Sequence, residues 1–162
     1  MTNEEKVYRV LDRLGIGYSV KQHPPVYTVE DVEEFWRDIP GAHCKNLFLC
    51  DQKGKKHYLV IMRHDKKVNM AHLAEQIGDG RLSFASEKRL ETFLGLKAGA
   101  VSPFGLINDP DRHVRMVLDS ELKGADRVSF HPNVNTATVT ISFEDFERFL
   151  AQCGNPISYL TI

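Results

Sequence analysis

Two apolar runs, Cys44 to Cys50 and His57 to Met62, flank the turn-forming Asp51-Gln52-Lys53-Gly54. Short runs of β-branched, aromatic and aliphatic residues joined by such a turn read as a β-hairpin. This pair limits the chain more than any other feature, because it fixes a sheet around which the rest must pack. It also contains an anomaly. Lys45 and Asn46 stand inside the first run, where the pattern asks for buried apolar residues, and lysine is rarely found in such a place. A lysine at the exposed start of the strand is the plain explanation of Lys45 taken alone.

Helical signals surround the hairpin. Thr2 with Glu5 forms a capping box before Val7, Val10, Leu11 and Leu14, and Gly15 and Gly17 stop that helix. Tyr18 to Lys21 reads as a short strand. Thr28 with Asp31 repeats the capping pattern before Val32, Phe35 and Trp36, with Pro40-Gly41 ending the helix. Asn69 caps a helix to Ile77, and Ser86 caps another to Leu94, closed by Gly78 and Gly95. Ser83-Phe84 between them is extended. Val114 to Leu118, Val128 to Phe130 and Thr136 to Ile141 read as strands. Ser142 with Asp145 opens a last helix through Phe146, Phe149 and Leu150 to Gly154, and Ile157 to Ile162 reads as a final edge strand. Helices and strands interleave without strict βαβ alternation. The expected fold is α+β, a single domain over residues 1–162 with a central, mixed, mostly antiparallel sheet and helices packed around it.

Composition excludes several classes of function. With 162 residues, 42% hydrophobic and 27% charged, the chain suits one core and shows no disordered or repetitive tract. The polar start Met1-Thr2-Asn3-Glu4-Glu5 lacks a signal peptide's apolar stretch, and no run approaches the roughly 20 residues that span a bilayer. Three cysteines, Cys44, Cys50 and Cys153, suit reduced thiols, so a cytoplasmic protein without a membrane partner is expected. Net charge is −1, which argues against extensive duplex or DNA binding. Charge is uneven, however. Residues 53–67 carry Lys53, Lys55, Lys56, Arg63, Lys66 and Lys67 against Asp65 alone, while Glu30, Asp31, Glu33, Glu34 and Asp38 face only Arg37. Such runs are commonly solvated faces, and the basic one also suits contact with a few phosphates.

Signatures for dinucleotides, ATP, zinc proteases, redox pairs and serine elbows are missing, and no cofactor is expected. Cys44 and Cys50 share a strand face but stand about 20 Å apart at 3.3 Å per residue, too far for one tetrahedral metal. Buried filler explains them better. His43, next to Cys44, points to the opposite strand face and is a poor base for a thiol nucleophile. Lys97 to Gly105 is a run of small residues and a proline, Gly99-Ala100-Val101-Ser102-Pro103 at its centre. Its backbone can approach a ligand and offer N–H groups to an oxyanion, or it can be an ordinary connector. Between two strands, His131-Pro132-Asn133-Val134-Asn135 presents His131 at a strand end, extended by the proline after it. A structural histidine in a turn made by Asn133 and Asn135 is the alternative.

Together these segments resemble the editing (insertion) domain of bacterial prolyl-tRNA synthetase and its free-standing YbaK/ProX-type relatives. The resemblance spans nearly the whole chain: His23-Pro24-Pro25-Val26-Tyr27-Thr28, Gly41 to Leu49, Arg81-Leu82-Ser83-Phe84-Ala85, Gly99 to Pro103, Leu106-Ile107-Asn108-Asp109 and His131-Pro132-Asn133. Lys45 to Leu49 and Phe130-His131-Pro132 look most like the ProXp-ala branch and its relative PrdX, which remove alanine from tRNA for proline. The resemblance implies a deacylase in which Lys45, Gly99 and His131 carry catalysis. Asn46, Ala100, Val101, Ser102, Pro103 and Asn135 would surround the substrate, with Tyr27 and Thr28 on the pocket wall.

Its partners would be the acceptor end of mischarged tRNA and prolyl-tRNA synthetase, with Lys53, Lys55, Lys56, Lys66 and Lys67 as phosphate contacts. In the family a ribose hydroxyl is thought to help activate the water. A pocket built for proline cannot strongly reject smaller alanine, since a methylene is worth only about 1–3 kcal/mol, so a second, tighter sieve is expected. Tyr27 or Phe104 would close it. A deacylase for cysteinyl- or seryl-tRNA is the near alternative. A non-catalytic sensor of aminoacyl-tRNA or amino acid is the alternative from another class.

Overall fold

The computed structural model describes residues 1–26, 29–39 and 41–162. Among these residues the α-helices are α1 (Asn3–Arg13), α2 (Val29–Trp36), α3 (Met70–Ile77), α4 (Glu87–Leu94) and α5 (Phe143–Cys153). The eight strands are β1 (Ser19–Gln22), β2 (Ala42–Asp51), β3 (His57–Arg63), β4 (Leu82–Phe84), β5 (Val114–Asp119), β6 (Arg127–Phe130), β7 (Ala137–Ser142) and β8 (Ile157–Leu160).

The caps read from the sequence are present. Thr2 accepts from the Glu5 N–H while Glu5 Oε2 accepts from Thr2, and Asn69, Ser86 and Ser142 accept from the third residue of α3, α4 and α5. Each removes one of the donors a helix start leaves unpaired. Gly78, Gly95 and Gly154 close those three helices with φ of 83°, 64° and 76°, the left-handed turn that glycine takes without strain. Two 3-10 helices, Pro103–Asn108 and Ser120–Gly124, were not read from the sequence; periods of three over five or six residues leave little pattern.

The strands form one mixed sheet in the order β1-β7-β6-β2-β3-β5-β8, with β4 off this path on β2. The β1–β7, β2–β3, β2–β4 and β6–β7 pairs are antiparallel, and β2–β6, β3–β5 and β5–β8 are parallel. The antiparallel majority is therefore narrow. The final strand is an edge strand as expected, parallel to β5.

Alternation along β3 sends Leu59 and Ile61 into the main core and Tyr58, Val60 and Met62 into a second cluster on the other face. Val7 and Leu11 of α1, Leu90 and Leu94 of α4, and Phe146, Phe149 and Leu150 of α5 fill the main core. Leu73 of α3 caps the second. With both faces covered, β3 is buried from His57 to Met62.

Asp109 staples the β5 end of the sheet. Its carboxylate, in a residue only 6% exposed, accepts from the N–H groups of His113 and Val114 and from Asn155 Nδ2. Asn155 Nδ2 also donates to the Val114 carbonyl. Asp109→Ala would strand these donors, so urea unfolding should show a loss of about 2–4 kcal/mol, within the range for buried hydrogen bonds to a carboxylate. A loss under about 1 kcal/mol would mean that the staple carries no load.

Candidate functional site

Each strand has two hydrogen-bonding edges, and β2 divides one of them. Its first edge pairs with β3 from Cys44 to Cys50. The other meets β6 only at Ala42 and His43, and β4 only at Leu49 to Asp51, with Ala85 N–H donating to the Phe48 carbonyl. Between these partners, at Lys45, Asn46 and Leu47, no strand among the described residues takes that edge. The result is a notch in the strand pairing at the middle of the sheet. Alternation puts Lys45 on the face of Leu49 and Met62, and Asn46 on the face of Cys44 and Phe48. The two polar residues therefore share this stretch of strand and project to opposite faces of the sheet. Asn46 Oδ1 is buried without a partner among the described residues.

Lys45 is half-buried, and its ammonium donates to the main-chain carbonyl of Lys66. Burial lowers its pKa from the ordinary lysine value, with Asp65 opposing the shift. The carbonyl it touches is held firmly. Lys66 Nζ donates to Asp119 at 2.7 Å and to Glu121 at 3.0 Å, and Asp119 is fully buried. These carboxylates hold the Lys66 ammonium above its usual range. Lys66 is thus a clamp on the turn after β3 and not a free phosphate contact, which changes the role read for it from the sequence.

An aromatic box stands on Lys45's side of the sheet. Trp36, from the end of α2, stacks on His43 with ring centroids 4.7 Å apart, and His64 meets its edge at 5.3 Å. His131 lies 6.5 Å from Trp36 and 6.0 Å from His23. The tautomers follow from the partners, because a carbonyl can only accept. His131 Nδ1 donates to the Ala137 carbonyl at 2.9 Å, so Nε2 is left with its lone pair. Burial lowers the pKa of His131, with the Ala137 hydrogen bond opposing the shift and His23 adding to it. In the same way His43 Nε2 donates to the Ile39 carbonyl, and its Nδ1 is buried without a partner among the described residues. His23, Trp36, His43 and His64 were not read as site residues. The signal available was weak: one tryptophan and three histidines scattered over some 40 positions of sequence, which only the sheet brings together.

The Gly99–Pro103 loop approaches from the main-core side. Val101 packs on that core, and a Cβ placed on Gly99, whose φ is +88°, would sit 3.9 Å from Asn135 Nδ2. Asn133 Nδ2 donates to the Phe104 carbonyl at 3.4 Å. The loop and the His131–Asn135 turn are therefore neighbours, as the sequence reading required. Asn133 makes the turn in the left-handed region, with φ 62°.

Not every residue of the loop is free to act. Ser102 is fully buried, and its hydroxyl caps the first 3-10 helix by accepting from the Phe104 N–H. Pro103 is buried inside that helix. The Ala100 N–H donates to the Lys97 carbonyl. The N–H groups of Val101 and Ser102 have no acceptor among the described residues and are free to meet a ligand, whereas that of Ala100 is not. Phe104 is wholly buried, edge-on to Phe130 and Phe149, so it belongs to the core and not to a pocket wall. Tyr27 and Thr28 lie outside the described residues.

The basic segment divides. Lys53 and Lys55 are exposed on the hairpin turn, beyond Asp51, some 20 Å along β2 from Lys45. Lys56 is tied to Asp79 at 3.0 Å. Lys66 and exposed Lys67 follow β3 at the Lys45 end. A groove of about 680 Å³ between α3 and β4, lined by Met70, Ala74 and Leu82 among others, includes none of the site residues.

Among the described residues the notch offers no activated nucleophile. Burial pushes the Cys44 thiol up to about 12, Lys45 serves as a cation, and the Ser102 hydroxyl is engaged as a cap. A cation, a neutral imidazole and backbone N–H groups around a small opening suit attack by water on a positioned acyl ester, the work of a deacylase.

Comparison with known proteins agrees. A family model described as the aminoacyl-tRNA editing domain matches residues 23–149. The prolyl-tRNA editing protein ProX of Acetoanaerobium sticklandii is 44% identical over 155 residues, covering 96% of this chain and 94% of its own. The prolyl-tRNA synthetase associated domain-containing protein 1 of Bos taurus is 40% identical over 149 residues, covering 90% and 86%. A solved structure described as a candidate trans-editing enzyme for prolyl tRNA synthetase superposes with a TM-score of 0.74 at 21% identity, over 99% of this chain and 97% of that one, and shares the fold. The chain belongs to the aminoacyl-tRNA editing domain family, and its chemistry is that of a hydrolase.

The geometry of His131 is open to direct test. Its NMR titration midpoint should fall below the ordinary imidazole value of about 6.5. Because folding depresses this pKa, its contribution to stability is complete above about pH 6.5 and is lost as pH falls through the lowered value. A midpoint at or above that of an unfolded histidine would refute the buried neutral imidazole.

Proposed function

We propose that this protein removes alanine mistakenly attached to tRNA for proline, acting in trans on the acceptor end. The observation that supports this reading most is the ammonium of Lys45: half-buried at the notch and bound to one carbonyl, it is a charge that substrate can recruit. In the proposed complex Lys45 faces the terminal phosphate or the ester oxygen. The N–H groups of Gly99, Val101 and Ser102 receive the carbonyl oxygen as it becomes an oxyanion, which costs little reorganisation because they are already fixed. His131 Nε2 accepts from the α-ammonium of the alanyl group and so positions it; it does not act as a base. Water attacks the carbonyl carbon, the bond to the ribose oxygen breaks, and that oxygen takes up a proton. Free alanine and uncharged tRNA leave.

Trp36 stacked on His43 would offer the terminal adenine a platform, since bases stack on aromatic faces with about 1–3 kcal/mol each. Asn46 and Asn135 bound the acyl group from the main-core side, with Ala100 and Pro103 shaping its floor and Tyr27 and Thr28 its wall. Prolyl-tRNA synthetase, as the source of the mischarged product, is the partner expected to hand it over.

Purified protein assayed on a panel of charged tRNAs should hydrolyse Ala-tRNA(Pro) faster than the Pro-, Cys- or Ser-charged forms. Lys45→Ala should cut the rate by about 100-fold or more, the scale of losing one oxyanion-stabilising group, while circular dichroism stays unchanged. Full activity in Lys45→Ala would sink the scheme; faster hydrolysis of the Cys- or Ser-charged form would reassign the substrate.

Lys67, near Lys45, suits the terminal phosphates, while Lys53 and Lys55, with Lys56 behind them in its ion pair, reach phosphates further along the acceptor stem. Lys53→Glu with Lys55→Glu should weaken binding of whole tRNA and flatten its salt dependence. The same pair of changes should leave hydrolysis of an alanyl ester of adenosine unaltered. A parallel loss on both substrates would place these lysines in the fold and not in recognition.

A further inference from the structure

On the same face of the sheet as Lys45, a second concavity of about 140 Å³ lies between α3 and strands β3, β5 and β8. Tyr58, which pairs with Leu49, stands four residues along β2 from Lys45, about 13 Å at strand spacing. Two buried side-chain atoms in this cleft have no partner among the described residues: Tyr58 Oη and Gln76 Oε1. Tyr58 is only 2% exposed. The orientation of Gln76 is set, because its Nε2 donates to the Thr161 carbonyl at 2.6 Å, which leaves Oε1 as an acceptor. Leaving either atom unpaired away from water costs on the order of 1–3 kcal/mol, and native structures seldom leave two together.

The rim supplies both charges. Arg115 is exposed, and Asp79 lines the cleft while paired with Lys56. The cleft therefore carries the Arg115 guanidinium as donor and the Asp79 carboxylate as acceptor at its rim, with the Tyr58 hydroxyl and Gln76 Oε1 unpaired in its buried wall. Val117 and Leu160 provide apolar walls. We propose that this cleft is a second binding site, separate from the notch, for a small free α-amino acid bound as its zwitterion. Its carboxylate meets Arg115 and Tyr58 Oη, and its ammonium meets Gln76 Oε1 and Asp79. The volume matches: four or five waters at about 30 Å³ each would fill it, as would one aliphatic amino acid of alanine's or proline's size.

The test uses the full chain carrying Lys45→Ala, so that occupancy of the notch does not confuse the readout, with L-alanine and L-proline as probes and acetate and methylammonium as half-ligands. Amide NMR shifts should cluster at Tyr58, Gln76 and Arg115 and saturate with the amino acids but not with either half-ligand. Tyr58→Phe, which deletes only the hydroxyl, should weaken binding about tenfold, the scale of one hydrogen bond to a charged group. Without ligand, Tyr58→Phe should be as stable as the parent or more so, since an orphaned hydroxyl is removed. Equal binding of acetate, no response to Tyr58→Phe, or a less stable Tyr58→Phe protein, the sign of a resident water on the hydroxyl, would each overturn the proposal. Failure here leaves the deacylation assay untouched, so the two readings stand or fall separately.

Discussion

The site depends on a contest for one edge of one strand. β3 claims the whole of β2's first edge, and β4 and β6 approach the other from its two ends without meeting. An unpaired strand edge in a sheet interior is costly, because backbone N–H and C=O groups lose water without gaining a partner. It persists where something else visits it. Here the gap falls at Lys45, Asn46 and Leu47, so in the proposed complex a substrate entering the notch would find backbone and side-chain polar groups already assembled. The parallel β2–β6 contact holds the gap open: it brings Phe130 into the core and so delivers His131 to the rim.

Polar groups at the notch are held by partners that leave one function free on each. His131 spends Nδ1 on the Ala137 carbonyl and keeps the Nε2 lone pair; His43 spends Nε2 on Ile39 and keeps Nδ1. Lys66 spends its ammonium on Asp119 and Glu121 and keeps its carbonyl for Lys45. Preorganisation of this kind matters for a reaction that lacks a protein nucleophile. Such catalysis rests on positioning and on fixed dipoles, which help only if they need not rearrange as charge develops.

Much of this was legible in the sequence, and the failures have physical causes. Caps at Thr2, Asn69, Ser86 and Ser142 were readable because capping is local, a side chain reaching a backbone three residues away. The hairpin and the nearness of the Gly99 loop to the His131 turn could be read too, the second only through resemblance to a family. The opposite orientation of Lys45 and Asn46 was available from strand alternation and was obscured by their adjacency. Phe104 was misplaced because an aromatic beside a glycine-proline loop looks the same whether it lines a pocket or, as here, packs edge-on against Phe130 and Phe149 in the core. The ion pairs that occupy Lys56 and Lys66 join residues 23 and 53 apart in sequence, beyond any local pattern.

The aromatic box and the divided lysines then bear on how one small domain handles a large substrate. In the proposed complex, two basic stations about 20 Å apart along β2, one beside Lys45 and one on the hairpin tip, would grip a polyanion at separated points. A single contiguous patch of the same charge would bind any nucleic acid more tightly and discriminate less, since phosphate contacts carry affinity and orientation but no sequence. With a net charge of −1, the protein keeps that non-specific term low. On the proposed reading, selection would move to the notch, where the terminal base would stack on Trp36 and the acyl group would fit between Lys45's face of the sheet and the Gly99 loop. A near-neutral surface around a small, preorganised, cationic opening favours release of correctly charged tRNA over retention, which is what an editor working in trans requires.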